Sequence, residues 1–292
     1  MKSLEENKYY IWLASITQIS TITKIEILKK YKNPINLFYK TKEELQIELE
    51  KNVVEELTKP YYKINLDNSI LKMKQYGINV ITCEDEEYPI QLKQITDYPI
   101  CLFCKGNTNI LNNHNKIAMI GCREYSEYGK KVATQLSYEL AQKGIIIVSG
   151  CAKGIDSFAH KGCIMAKGKT IAVLGNGLDY IYPIENKNLE KQIVENDGLL
   201  LSEYTIGTKP SKYTFPARNR IISGISNGLL VVEAKEKSGT LITVDFALEQ
   251  GKNVYAVPGN INCLNSVGTN ELIKQGAKMV TSANDILEEL ML

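Results

Sequence analysis

The chain has 292 residues and a formal net charge of +2, with 35 lysines and arginines against 33 aspartates and glutamates. That length allows two domains or one large one with a core of its own, and the near-neutral balance excludes a histone-like positive coat while leaving room for a local basic groove. No run of about 18 apolar residues is present, and the acidic, polar start is not a signal peptide, so a soluble cytoplasmic protein is expected.

In chain order, the first 77 residues read as helical. Tyr9, Trp12, Leu13 and Ile16 recur on a helical period, as do Ile22, Ile25, Ile27 and Leu28. Thr41 offers an N-cap to a third helix, with Glu43 and Glu44 in its first turn, and Gly77 closes a fourth. The expectation is a small helical domain over 1–77 and a second domain over 78–292. Seven cysteines with irregular spacing give one C-x-x-C, Cys101 to Cys104. No second pair or nearby histidine completes a zinc site, so a buried strand with reduced thiols is expected and no metal.

From Ile78 onward, apolar runs end in glycine-rich turns and are followed by amphipathic helices. Six strands are predicted: 117–120, 145–148, 170–174, 199–201, 229–232 and 254–257. Most lack polar alternation, as expected for strands covered on both faces of a parallel sheet. The predicted fold is α/β, a Rossmann-like, doubly wound, mostly parallel sheet preceded by a small helical module. In such a sheet the loops at the carboxyl ends of the strands share one edge, where ligands bind.

Those loops hold all three arginines of the chain: Arg123, Arg218 and Arg220; the other 32 basic residues are lysines. A forked, permanently charged guanidinium grips two oxyanion oxygens at once, which an ammonium cannot, so the placement points to phosphate. Lys153 also follows a strand and a glycine. Tyr125, Tyr128, Tyr180 and Tyr182, among 17 tyrosines, lie in or beside the same loops and are candidates for base stacking, Tyr125 and Tyr128 foremost. Gly175-Asn176-Gly177 begins like a dinucleotide fingerprint, but Tyr180 and Pro183 break it, and no G-x-x-x-x-G-K-[ST] occurs. Asp156 and His160 stand four apart. Helix capping by Asp156 and a hydrogen bond from His160 to a neighbouring loop explain them better than acid–base catalysis, because no nucleophile or metal partner accompanies them.

Taken together, the loops resemble the DNA-processing protein A family (DprA, also called Smf). The resemblance runs from about Tyr88-Pro89 to Leu290 and is carried by Gly121-Cys122-Arg123, Ser149 to Asp156 with Ala159-His160, Thr170 to Asp179, Phe215 to Ile222, Ser238 to Thr243 and Ala256 to Gly259. It implies a protein that binds single-stranded DNA without strong sequence preference. It further implies help in loading the recombinase RecA onto that DNA during uptake, natural transformation and recombination, indirect work with the single-stranded-DNA-binding protein, and a homodimer. No cofactor, membrane partner or reaction is implied.

Carried over, the DNA and phosphate site comprises Gly121, Cys122, Arg123, Ser126, Gly150, Lys153, Gly154, Asp156, Arg218, Asn219, Arg220, Ser238, Gly239 and Thr240. The segment 268–280, with Asn270, Leu272, Ile273 and Met279, is the implied dimer surface. Family members commonly have serine or threonine where Cys122 stands, which removes one hydroxyl contact to phosphate. Some also carry a C-terminal winged-helix domain; this sequence ends at Leu292, just after the last predicted helix, so that function is expected to be absent.

Two rivals share the pocket chemistry. Ser238-Gly239-Thr240 resembles the glycine-rich loop of the lysine-decarboxylase-like enzymes that cleave nucleoside monophosphates, but the glutamate expected three residues after the threonine is Thr243 here. A nucleotide-sensing domain without catalysis is the other, and dependence on ligand length separates it from a DNA binder.

Overall fold

The computed structural model describes residues 2–290. Its first part is helical, as the periodicity predicts, with Lys8–Ser15, Thr21–Tyr31 and Leu66–Tyr76 as its longest helices. Ser20 caps the second through Thr23 N, and Thr41 with Glu44 forms a reciprocal capping box at Lys42–Gln46. Gly77 ends Leu66–Tyr76 in the left-handed region at φ 66°. Three short helices, Ile35–Phe38, Lys51–Leu57 and Pro60–Ile64, add to the four expected. Four or five residues carry too little periodicity to announce two of them.

A nine-stranded sheet follows: β1 Asn79–Thr82, β2 Cys101–Gly106, β3 Lys116–Gly121, β4 Ile146–Ser149, β5 Thr170–Leu174, β6 Leu199–Ser202, β7 Gly228–Glu233, β8 Asn253–Ala256 and β9 Lys278–Met279. The spatial order is β1-β2-β6-β5-β4-β3-β7-β8-β9. All neighbours are parallel except β1 with β2 and β2 with β6. The six predicted strands are β3 to β8. β2 holds the C-x-x-C, whose thiols are buried and free.

Two-sided burial is visible along β3. Ile117 and Met119 pack into the apolar layer under helices Glu127–Gln142 and Ile155–Met165, while Ala118 and Ile120 join the opposite layer with Ile221, Ile222 and Val244. The second layer continues without a break through β1 and β2 into Trp12, Leu13 and Ile16 of the N-terminal helices. No helix among the described residues is long and apolar enough to cross a membrane.

Chain order reverses at β3, which has β4 on one side and β7 on the other. The loops after β3 and β7 therefore diverge and open a crevice at the carboxyl edge, the position where open α/β sheets bind ligands.

Candidate nucleic-acid interface

A cleft of about 490 Å³ occupies that switch point. Its walls come from the β3 loop (Gly121, Cys122, Arg123), the helix Thr214–Gly224 (Phe215, Arg218, Asn219) and the turn Ser238, Gly239, Thr240. A smaller pocket adjoins it, formed by Gly150, Lys153, Tyr182 and Phe215 and sharing Arg123 and Arg218. Segments more than a hundred residues apart thus meet as the strand endings predict.

The three arginines have different fates. Arg123 is exposed, and its guanidinium makes no hydrogen bond or ion pair among the described residues; it stands over the Phe215 ring at 5.6 Å. Arg218 is buried against the sheet edge. Its Nη1 donates to Gly150 O at 2.8 Å and to Val173 O, and its Nε donates to Asn219 Oδ1 at 3.2 Å. No described residue accepts from Nη2, and the side chain lines both cavities. Burial pushes the Arg218 guanidinium down, against the opposing charge of Asp156.

Arg220 does not reach the cleft. Phe215 to Arg220 reads as a loop, because Pro216 sits inside it, but the residues lie in the helix Thr214–Gly224. Positions two apart on an α-helix differ by about 200° in direction, so Arg218 and Arg220 point to opposite sides. Arg220 is buried in a bidentate pair with Glu203 and an ion pair with Asp97 at 2.8 Å.

The β4 loop explains its glycines. A Cβ on Gly150 would meet Arg218 Nη2 at 2.5 Å, so only glycine lets the guanidinium lie flat on the backbone. Gly154 has φ 83° and lies under the β3 loop, where Ile155 N donates to Cys122 O at 3.2 Å. Asp156 Oδ2 accepts from Gly150 N at 3.1 Å and Ala152 N at 3.3 Å, so it shapes the loop before its helix. Burial pushes the Asp156 carboxyl up, with the Arg218 charge and those N–H groups opposing.

Other assignments shift. Ser126 lies outside both cavities: it caps the helix Glu127–Gln142 through Gly129 N, and its N–H and hydroxyl both bond the buried Glu233 carboxylate. That internal carboxylate takes the place an anion would hold at the helix N-terminus. Ser238 caps the helix Gly239–Glu249 through Thr240 N at 3.1 Å, as its position predicts, and stays on the cleft wall. Cys122 is buried on the cleft wall, and burial pushes its thiol up, so it stays a neutral S–H, a weaker donor than a hydroxyl.

Tyr128 donates its hydroxyl to Pro258 O at 2.8 Å, and Tyr125 sits edge-on to Phe158; neither lines the cleft. Of the tyrosine candidates Tyr182 stacks beside the cleft, on Phe215, with centroids 5.2 Å apart and planes 30° apart. Phe215 is one of only five phenylalanines. Its position three residues before Arg218 is the one signal the sequence carries for it. Lys212 and Lys235 also line the cleft. Lys235 pairs with Glu124 at 2.5 Å and Lys153 with Glu185 at 2.5 Å, all four partly to fully exposed. Exposed pairs of this kind are worth little, so an arriving phosphate can exchange for either carboxylate.

His160 is fully buried within the helix Ile155–Met165. Thr170 Oγ1 donates to Ile147 O, so it accepts from His160 Nδ1–H at 2.7 Å. The partner is the first residue of β5, not a loop. Burial pushes the imidazole down to about 3. Between that value and the ordinary range the unfolded chain binds the extra proton, so stability falls as pH is lowered. Denaturant unfolding at pH 7 and pH 4 is expected to show wild type losing about 3 kcal/mol more than His160→Asn. Equal losses would remove His160 from the acid response.

Of the implied dimer residues, Leu272 is buried in the chain's own core and Asn270 ties down Gly259 through its N–H and carbonyl, leaving Met279 exposed and Ile273 partly so. Residue type alone did not separate the buried face of the helix Val267–Lys274 from its outer one. No cluster of potential metal ligands exists among the described residues.

Residues 79–291 match the model of the family described as DNA recombination-mediator protein A. The chain belongs to that family. It is 44% identical over 250 residues to the DNA processing protein DprA of Bacillus subtilis, covering 86% of this chain and 82% of that one. It is 48% identical over 205 residues to DprA of Streptococcus pneumoniae, covering 70% and 72%. With the Smf protein of Escherichia coli it shares 43% over 226 residues, which is 77% of this chain but 60% of that protein.

Among solved members of the recombination-mediator family, S. pneumoniae DprA superposes with a TM-score of 0.78 at 36% identity over 97% of both chains. The Helicobacter pylori protein, whose structure concerns its single-stranded-DNA-binding mode, gives 0.66 at 31%, covering 74% of this chain and 96% of that one. The helical stretch before residue 79 lies outside the family model, while the pneumococcal superposition extends over nearly the whole chain.

Proposed function

We propose that this member of the recombination-mediator family binds single-stranded DNA along the cleft and helps load a RecA-type recombinase onto it during DNA uptake and recombination. One observation carries the reading: two of the three arginines, Arg123 and Arg218, bring guanidinium N–H groups that no described residue accepts from to a crevice at the topological switch point. Phosphates take those donors, the lysines of the rim exchange their carboxylates for DNA, and the Phe215–Tyr182 stack offers a face to a base. Phosphate contacts carry no base information, so sequence preference is weak.

The mechanism is binding without turnover. Thr243, buried, stands where the nucleotide-cleaving enzymes need a carboxylate. Gly121, Gly150 and Gly154 shape the loops, Asp156 and Asn219 hold them, and the turn at Ser238, Gly239 and Thr240 closes the far wall. The protein works as a homodimer, with Met279 and Ile273 on the shared surface, and two clefts on one strand raise affinity by avidity. Residues 1–77 serve as a helical module beside the DNA-binding domain 78–292. The single-stranded-DNA-binding protein is met indirectly, as the coat displaced when the recombinase loads.

Fluorescence anisotropy of a labelled dT series at two salt concentrations tests the reading. Affinity is expected to rise with oligonucleotide length, to fall steeply with salt, and to resist competition by a mononucleotide. Saturation by one mononucleotide, or no binding at either salt, would make the cleft a nucleotide pocket instead.

A further inference from the structure

Arg220 uses every N–H it has inside the protein. Nε lies 2.8 Å from Asp97 Oδ2 and donates to Asp97 O at 3.2 Å. Nη1 donates to Glu203 Oε1 at 2.8 Å and to Ala217 O at 2.9 Å. Nη2 donates to Glu203 Oε2 at 2.7 Å and to Asp97 O at 3.0 Å. A guanidinium offers five N–H donors in a fixed fork, and six acceptor contacts leave none for a ligand. Burial works against this charge, and the Glu203 and Asp97 carboxylates more than restore it, holding its pKa above the ordinary value.

The partners come from elements other than the DNA-facing loops. Asp97 lies just before β2, and Glu203 directly follows β6. Both belong to the antiparallel side of the sheet, which the N-terminal helices cover. The helix Thr214–Gly224 is therefore pinned twice: Arg218 ties one side to the ends of β4 and β5, and Arg220 ties the other to β6 and the approach to β2. Between the pins, Phe215 and Asn219 are turned to the cleft.

We infer that Arg220, Glu203 and Asp97 form a clamp that sets the angle of the helix Thr214–Gly224, and are thereby positioning residues for single-stranded DNA, which they never touch. This rests on the DNA reading of the cleft.

The clamp and a phosphate contact predict opposite signs for Glu203→Gln. If Arg220 served phosphate, its carboxylate partner would compete with DNA, and removing that charge would tighten binding. As a clamp, weakening one bidentate partner loosens the helix and weakens dT binding, by about ten-fold. Arg220→Gln gives the second sign: a lost phosphate contact lowers the magnitude of the slope of log affinity against log salt by about 0.7, whereas a lost clamp leaves it unchanged.

The experiment is anisotropy of a labelled dT oligonucleotide at four salt concentrations with wild type, Glu203→Gln and Arg220→Gln, with thermal melts of the same samples. Weaker binding by both folded variants at an unchanged slope supports the clamp. Equal or tighter binding by Glu203→Gln, or a reduced slope for Arg220→Gln, overturns it. Should either variant fail to fold, Asp97→Asn, which removes only the half-exposed partner, must show the same direction at smaller size; unchanged binding by that variant also overturns the clamp. Wild type that does not bind DNA sinks the cleft reading and the clamp together, whereas wild-type binding with indifferent variants sinks the clamp alone.

Discussion

Arg123→Ala is expected to weaken binding of a dT oligonucleotide by about 10- to 100-fold, the scale of one or two hydrogen bonds to a charged group. The slope of log affinity against log salt should fall in magnitude by about 0.7 as one phosphate contact is lost. The melting temperature should not move, because the side chain is exposed and, among the described residues, rests only on the Phe215 ring. That combination separates Arg123 from Arg218, whose removal would leave two carbonyls at the sheet edge without their donor. Arg123→Lys sharpens the test: it restores the salt slope but only part of the affinity, since a point charge cannot fork onto two phosphate oxygens. Unchanged affinity in Arg123→Ala would remove the central residue from the binding model.

Why the net charge of +2 suffices follows from the rim. Lys153 and Lys235 are held by Glu185 and Glu124 in exposed pairs. Such pairs contribute little to stability and are screened by salt. On the proposed reading they mask the basic face until a strand arrives, and each exchange of a carboxylate for a phosphate frees one lysine to neutralise the strand. Salt-sensitive binding is thus expected without a chain that is basic overall.

The sheet was legible because burial on both faces leaves an unambiguous mark: β3 to β8 are apolar runs, and β3, β4, β5 and β8 have glycine at or just past their ends. β9 has two residues and left no such signal. The convergence of the β3, β4 and β7 loops was legible for the same reason, since parallel strands share one functional edge. What the sequence could not express was direction around a helix that begins beside a proline. Arg218 and Arg220 look equivalent as letters, and only the helical rotation sends one to the cleft and the other to Glu203. The same rotation decides half of the stacked pair: Tyr182 was among the candidates and Tyr128 spends its hydroxyl on Pro258 O, while Phe215 is placed by the helix that also carries Arg218.

Gly154→Ala is expected to damage both fold and site. The native backbone there has φ 83° and ψ −133°, a combination reached essentially only by glycine. The added methyl would also stand 2.6 Å from Arg123 O and overlap Cys122 O, so the β3 loop must lift from the start of the helix Ile155–Met165. Strain and the lost contact from Ile155 N to Cys122 O together should cost about 2–4 kcal/mol, seen as a fall in melting temperature of about 3–7 °C for a chain of this length. Because the atom displaced is the carbonyl of Arg123 itself, dT affinity of the folded protein should fall at least about ten-fold, a misplacement effect of the kind that small shifts produce at preorganised sites. Gly144→Ala supplies the control. It has φ 78° with open space around the added methyl and lies in the turn after the helix Glu127–Gln142. It should therefore lose some stability and keep its DNA affinity. If Gly154→Ala also kept its affinity, the β3 loop would not be held in its binding position by the backbone beneath it, and the geometry assigned to Arg123 would have to come from the DNA.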